Sequence, residues 1–300
     1  MSAISGLDQA LWNLKGRALG VPIWELLGGQ VRQHVQAYAW IGGDRPDQVA
    51  EAAAQRRAQG SSAVKMNATA ERGWLDQPAA LDGVMERVLA AQAQGLDVAL
   101  DFHGCVYRPM ARQLLRLLES LRLLFVEEPL LSEHPEALRD LAGHGGTPIA
   151  PGEWPYSRWD FKGFLAGGEV DIIQPDLSHA SGLSEVRKIA GMAEAYDVAV
   201  APHCPLGPLA LASCLQLAGC TPNVVLQELS LDMHYNQSHD LLSFVLNKEV
   251  LTPVGGLLTI PRGPGLGVEI NEAAVRSAHR ERHRWRNPMW RGFDGSVNEW

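Results

Sequence analysis

The chain has 300 residues, 46% hydrophobic and 20% charged, with a formal net charge of −8. That balance describes a globular chain with a large core, and an acidic surface without a basic run excludes a partner that is read through its phosphates, so nucleic acid is not expected. No apolar run reaches the length of a membrane span, and Cys105, Cys204, Cys214 and Cys220 form no C-x-x-C pair, so they read as reduced thiols of a cytoplasmic protein.

The chain opens with MSAISGLDQALWNLKGRALG, which lacks a basic leader and carries charges through its apolar pattern; it is not expected to be a signal peptide. Leu7, Ala10, Leu11, Leu14 and Ala18 fall at helical spacing, so a helix begins almost at once, with an apolar face in need of a partner. From residue 35 short apolar runs alternate with helical patterns. The runs are VQAYAWIG (35–42), AVKMN (63–67), DVALDFHG (97–104), LLFVEEPL (123–130), PIAPGEW (148–154), VDIIQPDLS (170–178), VAVAPHC (198–204) and NVVLQEL (223–229). Between them lie amphipathic segments, one with Leu183, Val186, Ile189, Ala190 and Ala193 on a single face. Apolar strands alternating with helices predict an α/β fold with a parallel sheet covered on both sides. Eight such units predict a closed barrel. A doubly wound open sheet competes, but no G-x-G-x-x-G follows a strand. Beyond residue 245 the pattern weakens, and a tail with Trp285, Trp290 and Trp300 is expected to lie across the body rather than add a barrel unit.

The third run, VALDFHG, ends in Asp101, Phe102 and His103. Alternate strand residues share a face, so Asp101 and His103 point one way and Phe102 the other. A buried carboxylate beside an imidazole is costly unless something uses both. The other runs end similarly. Lys65 and Asn67 close the second, Glu127 the fourth, Glu153 the fifth, Asp176 the sixth, His203 the seventh and Glu228 the eighth. From Asp101 onward these residues recur at about one strand-plus-helix unit, and in barrels that end carries the active site. A single acid after a strand is ordinarily a helix cap or a solvated loop residue, and Glu128 and His179 are left to that role.

Asp101, Glu127 and Glu153 come from adjacent strands about 5 Å apart. Carboxylates so close raise one another's pKa, and a divalent cation removes the conflict. All-oxygen ligands with room for water and substrate suit Mg²⁺; zinc fits less well, because no imidazole falls among the three acids. Across the barrel, Asp176 and His203 lie on neighbouring strands. A carboxylate on one imidazole nitrogen fixes the tautomer and raises the basicity of the other, which makes a general base.

The order K-x-N, D-x-H, E-E-P, G-E, D, H and a last-strand E resembles the enolase superfamily, mandelate racemase subgroup. The stretches LDFHG, FVEEP, IIQPDLSHASG, IAGMAEAYDVAVAPHCPLGP and the RNPMWR and SVNEW of the tail carry the likeness from the first helix to the last residue. The resemblance implies a modified TIM barrel, (β/α)7β, with a partial capping domain from the chain ends: a capping remnant over 1–34, the barrel over 35–245, and a segment over 246–300 packing on the cap. It implies that Asp101, Glu127 and Glu153 hold Mg²⁺, that nearby cations bind a substrate carboxylate, with Lys65 and Asn67 as substrate-binding residues, and that Glu228 hydrogen-bonds the enediolate oxygen. His203, oriented by Asp176, is similar to the family base. The implied activity is a carbon–oxygen lyase that dehydrates a small-molecule sugar acid, D-galactonate or another aldonate, in a homo-oligomer without membrane attachment.

The residues themselves separate dehydration from racemisation. A racemase needs a base on each face of its substrate, but the second position of K-x-N is Asn67, which takes no proton at neutral pH. Elimination needs an acid for the departing hydroxyl, and His103 beside Asp101 is placed to supply it. Two departures from the family pattern stand out. G-E-R after strand five is here G-E-W, with Trp154 in place of an arginine, and the β-rich section that precedes the first helix in family members is not in this sequence. Two readings therefore stay open here: an active dehydratase, or an impaired barrel with an open site that acts as a non-enzymatic binder. His234, Tyr235 and Asn236 follow the last strand and read equally as substrate contacts or as plain loop.

Overall fold

A computed structural model of the chain describes residues 1–68, 74–75, 77–143, 145–230 and 241–281, with 289, 291 and 294–297 of the tail. His234, Tyr235, Asn236, Trp285, Trp290 and Trp300 lie outside them. All eight expected strands are present: β1 (His34–Ile41), β2 (Ala63–Asn67), β3 (Asp97–Asp101), β4 (Val126–Glu127), β5 (Ile149–Ala150), β6 (Ile172–Ile173), β7 (Ala199–Val200) and β8 (Leu226–Leu229). Helices α3 (Pro46–Ala58), α4 (Pro78–Gln92), α5 (Arg108–Leu118), α6 (Pro135–Ala142), α7 (Arg158–Gly167), α8 (Leu183–Glu194) and α9 (Pro208–Cys220) connect them. Proline sits in the first two positions of α3, α4, α5, α6 and α9, where its missing N–H costs no helical hydrogen bond. The face of α8 expected to be buried is buried.

The strands pair in parallel in the order β5-β4-β3-β2-β1-β8, with β6 and β7 as a separate pair. Backbone hydrogen bonds join the two arcs into a ring. At one seam Asp171 N–H donates to the Ile149 carbonyl (3.1 Å) and Gln174 N–H to the Pro151 carbonyl (2.9 Å). At the other, Val200 N–H donates to the Asn223 carbonyl (2.8 Å) and Val225 N–H to the Val200 carbonyl (2.9 Å).

Two apolar cores follow from the strand period of two. The larger lies between strands and helices. The smaller fills the interior with one residue from each of seven staves: Tyr38, Ala63, Ala99, Phe125, Ala150, Ile172 and Ala201, with Leu226 of the eighth packed against them. Two residues further along, the same face carries Trp40 on the first strand and Lys65, Asp101, Glu127, Gly152, Gln174, His203 and Glu228 on the other seven. The strand-end residues therefore form the layer above a plugged barrel. Glu153 is one residue out of that phase.

Helix α1 (Ser2–Leu19) precedes a short α2 (Ile23–Leu26) and lies against α8. Its buried positions are Ser5, Gln9 and Gly16, while Leu7, Leu11 and Leu14 are exposed. The polar side is the docked side: Gln9 Nε2 donates to the Leu177 carbonyl (2.9 Å), Trp12 Nε1 to Ser184 Oγ (2.8 Å), and Ser184 N–H to Asp8 Oδ2 (3.0 Å). Beyond β8, a strand β9 (Leu257–Thr259) pairs antiparallel with the start of β1, and α10 (Glu272–Arg280) follows. The three-residue β9 was not anticipated; it is too short to give a periodic signal.

Candidate active site

Lys65 is the centre of the layer. It is 1% exposed, and its ammonium donates to both oxygens of Glu127 (2.7 and 2.8 Å). It also lies 2.8 Å from Glu228 and 3.7 Å from Asp101. Burial opposes its charge, but Glu127 and Glu228 outweigh burial and raise its pKa well above the ordinary value. Gln174 Nε2 donates to Glu127 Oε2 (2.7 Å), and Tyr38, with Lys65 near its ring, is packed edge-on against Phe125. Asn67 is half-buried and accepts from Trp40 Nε1 at 3.4 Å.

Asp101 receives His103 twice, through the main-chain N–H (2.8 Å to Oδ1) and through Nε2 (2.8 Å to Oδ2). That double contact follows from the left-handed backbone of His103 (φ 49°), which folds the imidazole back over the carboxylate. Burial works against the imidazolium, but the Asp101 charge outweighs it and lifts the His103 pKa to about 9. In turn, burial raises the Asp101 carboxyl, yet His103 and Lys65 hold it down at about 2. Phe102 points into the outer core, as alternation requires.

His203 bonds through Nδ1 to Asp176 Oδ2 (2.8 Å), while Nε2 lies 3.0 Å from Glu153 Oε2. The other Asp176 oxygen accepts from Ser178 N–H (2.6 Å). Burial opposes the charged form of His203, and Glu153 and Glu228 override it, so its proton affinity is well above that of free imidazole. Glu228 Oε2 accepts from Cys204 N–H (2.6 Å), and Lys65 and His203 keep this buried carboxyl ionised.

All nine predicted site residues thus lie at one end of the barrel; Asn67, in register with Asp101, turns its side-chain oxygen to Trp40 and its carbonyl to Arg87 rather than to the acidic cluster. Their grouping differs from expectation. Ligand atoms close enough to share one ion fall in two overlapping groups, Asp101 with His103 and Glu153, and Glu127 with Glu153 and His203. Glu153 belongs to both, the Lys65 ammonium stands between Asp101 and Glu127, and imidazoles do sit among the acids. The donors fit a divalent cation. Glu153 Oε1 is buried without a hydrogen-bond partner among the described residues, and burial and the Asp101 charge push the Glu127 carboxyl up.

Three contributors were not foreseen. Gln174 lies two residues before Asp176, a spacing that marks a shared face. Tyr38 lies two residues before Trp40 in the same way. Glu128, assigned an ordinary loop role, is fully buried, with its carboxylate on Gly152 N–H (2.7 Å), Glu153 N–H (3.2 Å) and Ser132 Oγ (2.8 Å). Trp154 is 42% exposed. A cleft of about 590 Å³ between α1, His179, Leu206 and α10 includes none of the predicted site residues.

Residues 48–274 match the enolase C-terminal domain-like family, and residues 1–28 match the mandelate racemase/muconate lactonizing enzyme N-terminal domain. The chain is 51% identical to a D-galactonate dehydratase of Ralstonia nicotianae over all of its own length and 79% of the relative's. It is 50% identical, with the same coverage, to a D-galactonate dehydratase of Variovorax paradoxus. A solved enolase-superfamily member from Salmonella Typhimurium superposes with a TM-score of 0.81 at 30% identity, covering 92% of this chain and 75% of the other. A mandelate racemase/muconate lactonizing enzyme-like protein from Roseovarius gives a TM-score of 0.82 at 30% identity, covering 92% and 72%.

Proposed function

The chain belongs to the mandelate racemase/muconate lactonizing enzyme family of the enolase superfamily, and we infer from that membership and from its relatives that it is an acid-sugar dehydratase, a hydro-lyase that converts D-galactonate to 2-dehydro-3-deoxy-D-galactonate and water. The observation that carries the chemistry is a pair of carboxylate-bound imidazoles at one barrel mouth, His103 on Asp101 and His203 on Asp176.

Elimination across C2 and C3 needs a base for the C2 proton and an acid for the 3-hydroxyl. His203 takes the C2 proton at Nε2 in its neutral form, which requires that the charge of Glu153, 3.0 Å from that nitrogen, be neutralised, as a cation on Glu153 would do; Asp176 on Nδ1 fixes the tautomer and balances the imidazolium. The electron pair of the C2–H bond moves into the carboxylate and forms the enediolate. Glu228, held by Lys65 and the Cys204 N–H, borders that charge. The pair then returns, the C3–O bond breaks, and His103 gives its proton to the departing oxygen, leaving water and an enol that tautomerises to the 2-keto acid. Bound Mg²⁺, held by Asp101, Glu127 and Glu153, would supply positive charge against the carboxylate as its second negative charge develops. Lys65 and Asn67 border the carboxylate end of the substrate. We propose further that the enzyme acts in the cytoplasm as a homo-oligomer, as its likeness to the D-galactonate dehydratases suggests.

Two variants test the division of labour. In heavy water with Mg²⁺, His103→Gln keeps exchange of the C2 proton of D-galactonate, read by NMR, while net dehydration falls by about 10²–10⁴-fold. His203→Gln loses both. Loss of both in folded His103→Gln would refute the assignment of the acid. An inert wild-type chain on a panel of aldonates would favour the non-enzymatic binder.

A further inference from the structure

Glu153 needs a special backbone to reach the site. The inward phase of β5 runs from Ala150 to residue 152, and that residue is a glycine, so the inward position carries no side chain. Gly152 has φ +143°, and a Cβ there would lie 2.5 Å from the backbone nitrogen of Gln174. The chain is therefore turned at Gly152 and pressed against β6, which brings the next residue, Glu153, to His203 Nε2. Glu153 itself is loosely tied: one carboxylate oxygen meets His203, and the other, buried, has no hydrogen-bond partner among the described residues. Its aim is set by the main chain.

That main chain is held by Glu128. Glu128 Oε1 accepts both consecutive N–H groups, from Gly152 (2.7 Å) and Glu153 (3.2 Å), and Oε2 accepts from Ser132 Oγ (2.8 Å). Its own backbone is left-handed (φ 39°), a cost that persists only where the surroundings impose it. Its carbonyl accepts from Gly104 N–H (2.8 Å), the residue after His103. One buried residue thus ties the loop that carries His103 to the loop that carries Glu153.

We propose that Glu128 is a positioning residue for the cation site: its carboxylate, clamping the Gly152 and Glu153 amides, makes Glu153 present its free oxygen to the metal. This rests on the reading of the site as a Mg²⁺ site. Partners that orient a metal ligand are worth 10–100-fold in affinity.

The test is Mg²⁺ titration of the full chain by calorimetry, with no substrate, alongside thermal melts. Glu128→Ala weakens Mg²⁺ binding by about 10–100-fold. Glu128→Gln stays within about threefold of wild type, because the amide oxygen still accepts both N–H groups and its NH2 donates to Ser132 Oγ. Glu128→Asp keeps the charge but is one methylene too short, and it behaves like Glu128→Ala. Should Glu128→Ala not fold, the Gln and Asp variants carry the comparison. Folded Glu128→Ala with wild-type affinity, or Glu128→Asp that binds as well as Glu128→Gln, overturns the proposal while the metal reading stands. A wild-type chain that gives no Mg²⁺ signal overturns the metal reading and this proposal with it.

Discussion

Lys65 has no water to fall back on. At 1% exposure its ammonium is the counter-charge for Glu127 and Glu228, with Asp101 next to them. Breaking a buried ion pair from one side leaves uncompensated charge and costs about 3–5 kcal/mol. Lys65→Met is therefore expected to lose about that much stability in metal-free urea denaturation and, on the proposed Mg²⁺ site, to regain part of it when the ion is added. A Met variant as stable as wild type without metal would mean that the carboxylates are held apart by something else. The sequence made most of these residues visible because each ends an apolar run and they recur at about one strand-plus-helix unit. Glu128 and Gln174 were not visible as site members. Their work is done through partners 24 and 47 residues away, and no local pattern encodes such a contact. Glu153 was found by its place in G-E, although its strand phase points elsewhere.

Among the elements, the strands at the site end are shorter than their apolar runs. Residues 123–130 read as one strand, yet only Val126–Glu127 is laddered, because the run continues into the left-handed turn at Glu128. Helix α1 is amphipathic as its leucines require, but the barrel takes its polar side, a choice made by Asp8, Gln9 and Trp12 against α8 and its approach. Helices α5 and α6 are tied at the surface by Asp140, which accepts from Arg108 (2.6 Å) and from Arg112. Hydrogen bonds from Arg108 and then Arg112 lower the Asp140 pKa from 3.8 to about 2. A carboxyl depressed in the folded state contributes fully above its unfolded pKa, and the contribution is lost as pH falls through the folded one. Melting temperature should therefore drop from pH 4 to pH 2 less steeply in Asp140→Asn than in wild type. Parallel slopes would show that the α5–α6 tie adds nothing.

For the whole molecule, an eightfold repeat was the legible feature, and the ring it predicted is there. The evenness it implied is not. β2 and β3 share five register pairs, whereas β6 and β7 share two and join the rest through a few backbone bonds at each seam. Amides of β6 and β7 are expected to exchange with heavy water before those of β2 and β3; uniform protection would contradict this. The proposed cation ligands follow β3, β4 and β5, which share two register pairs at each junction, and the Asp176–His203 pair follows β6 and β7, which also share two. Both halves of the site therefore ride on the lightly laddered side of the ring, and warming that loosens it would cost proton abstraction and ion binding together, some degrees before β1, β2 and β8 give way.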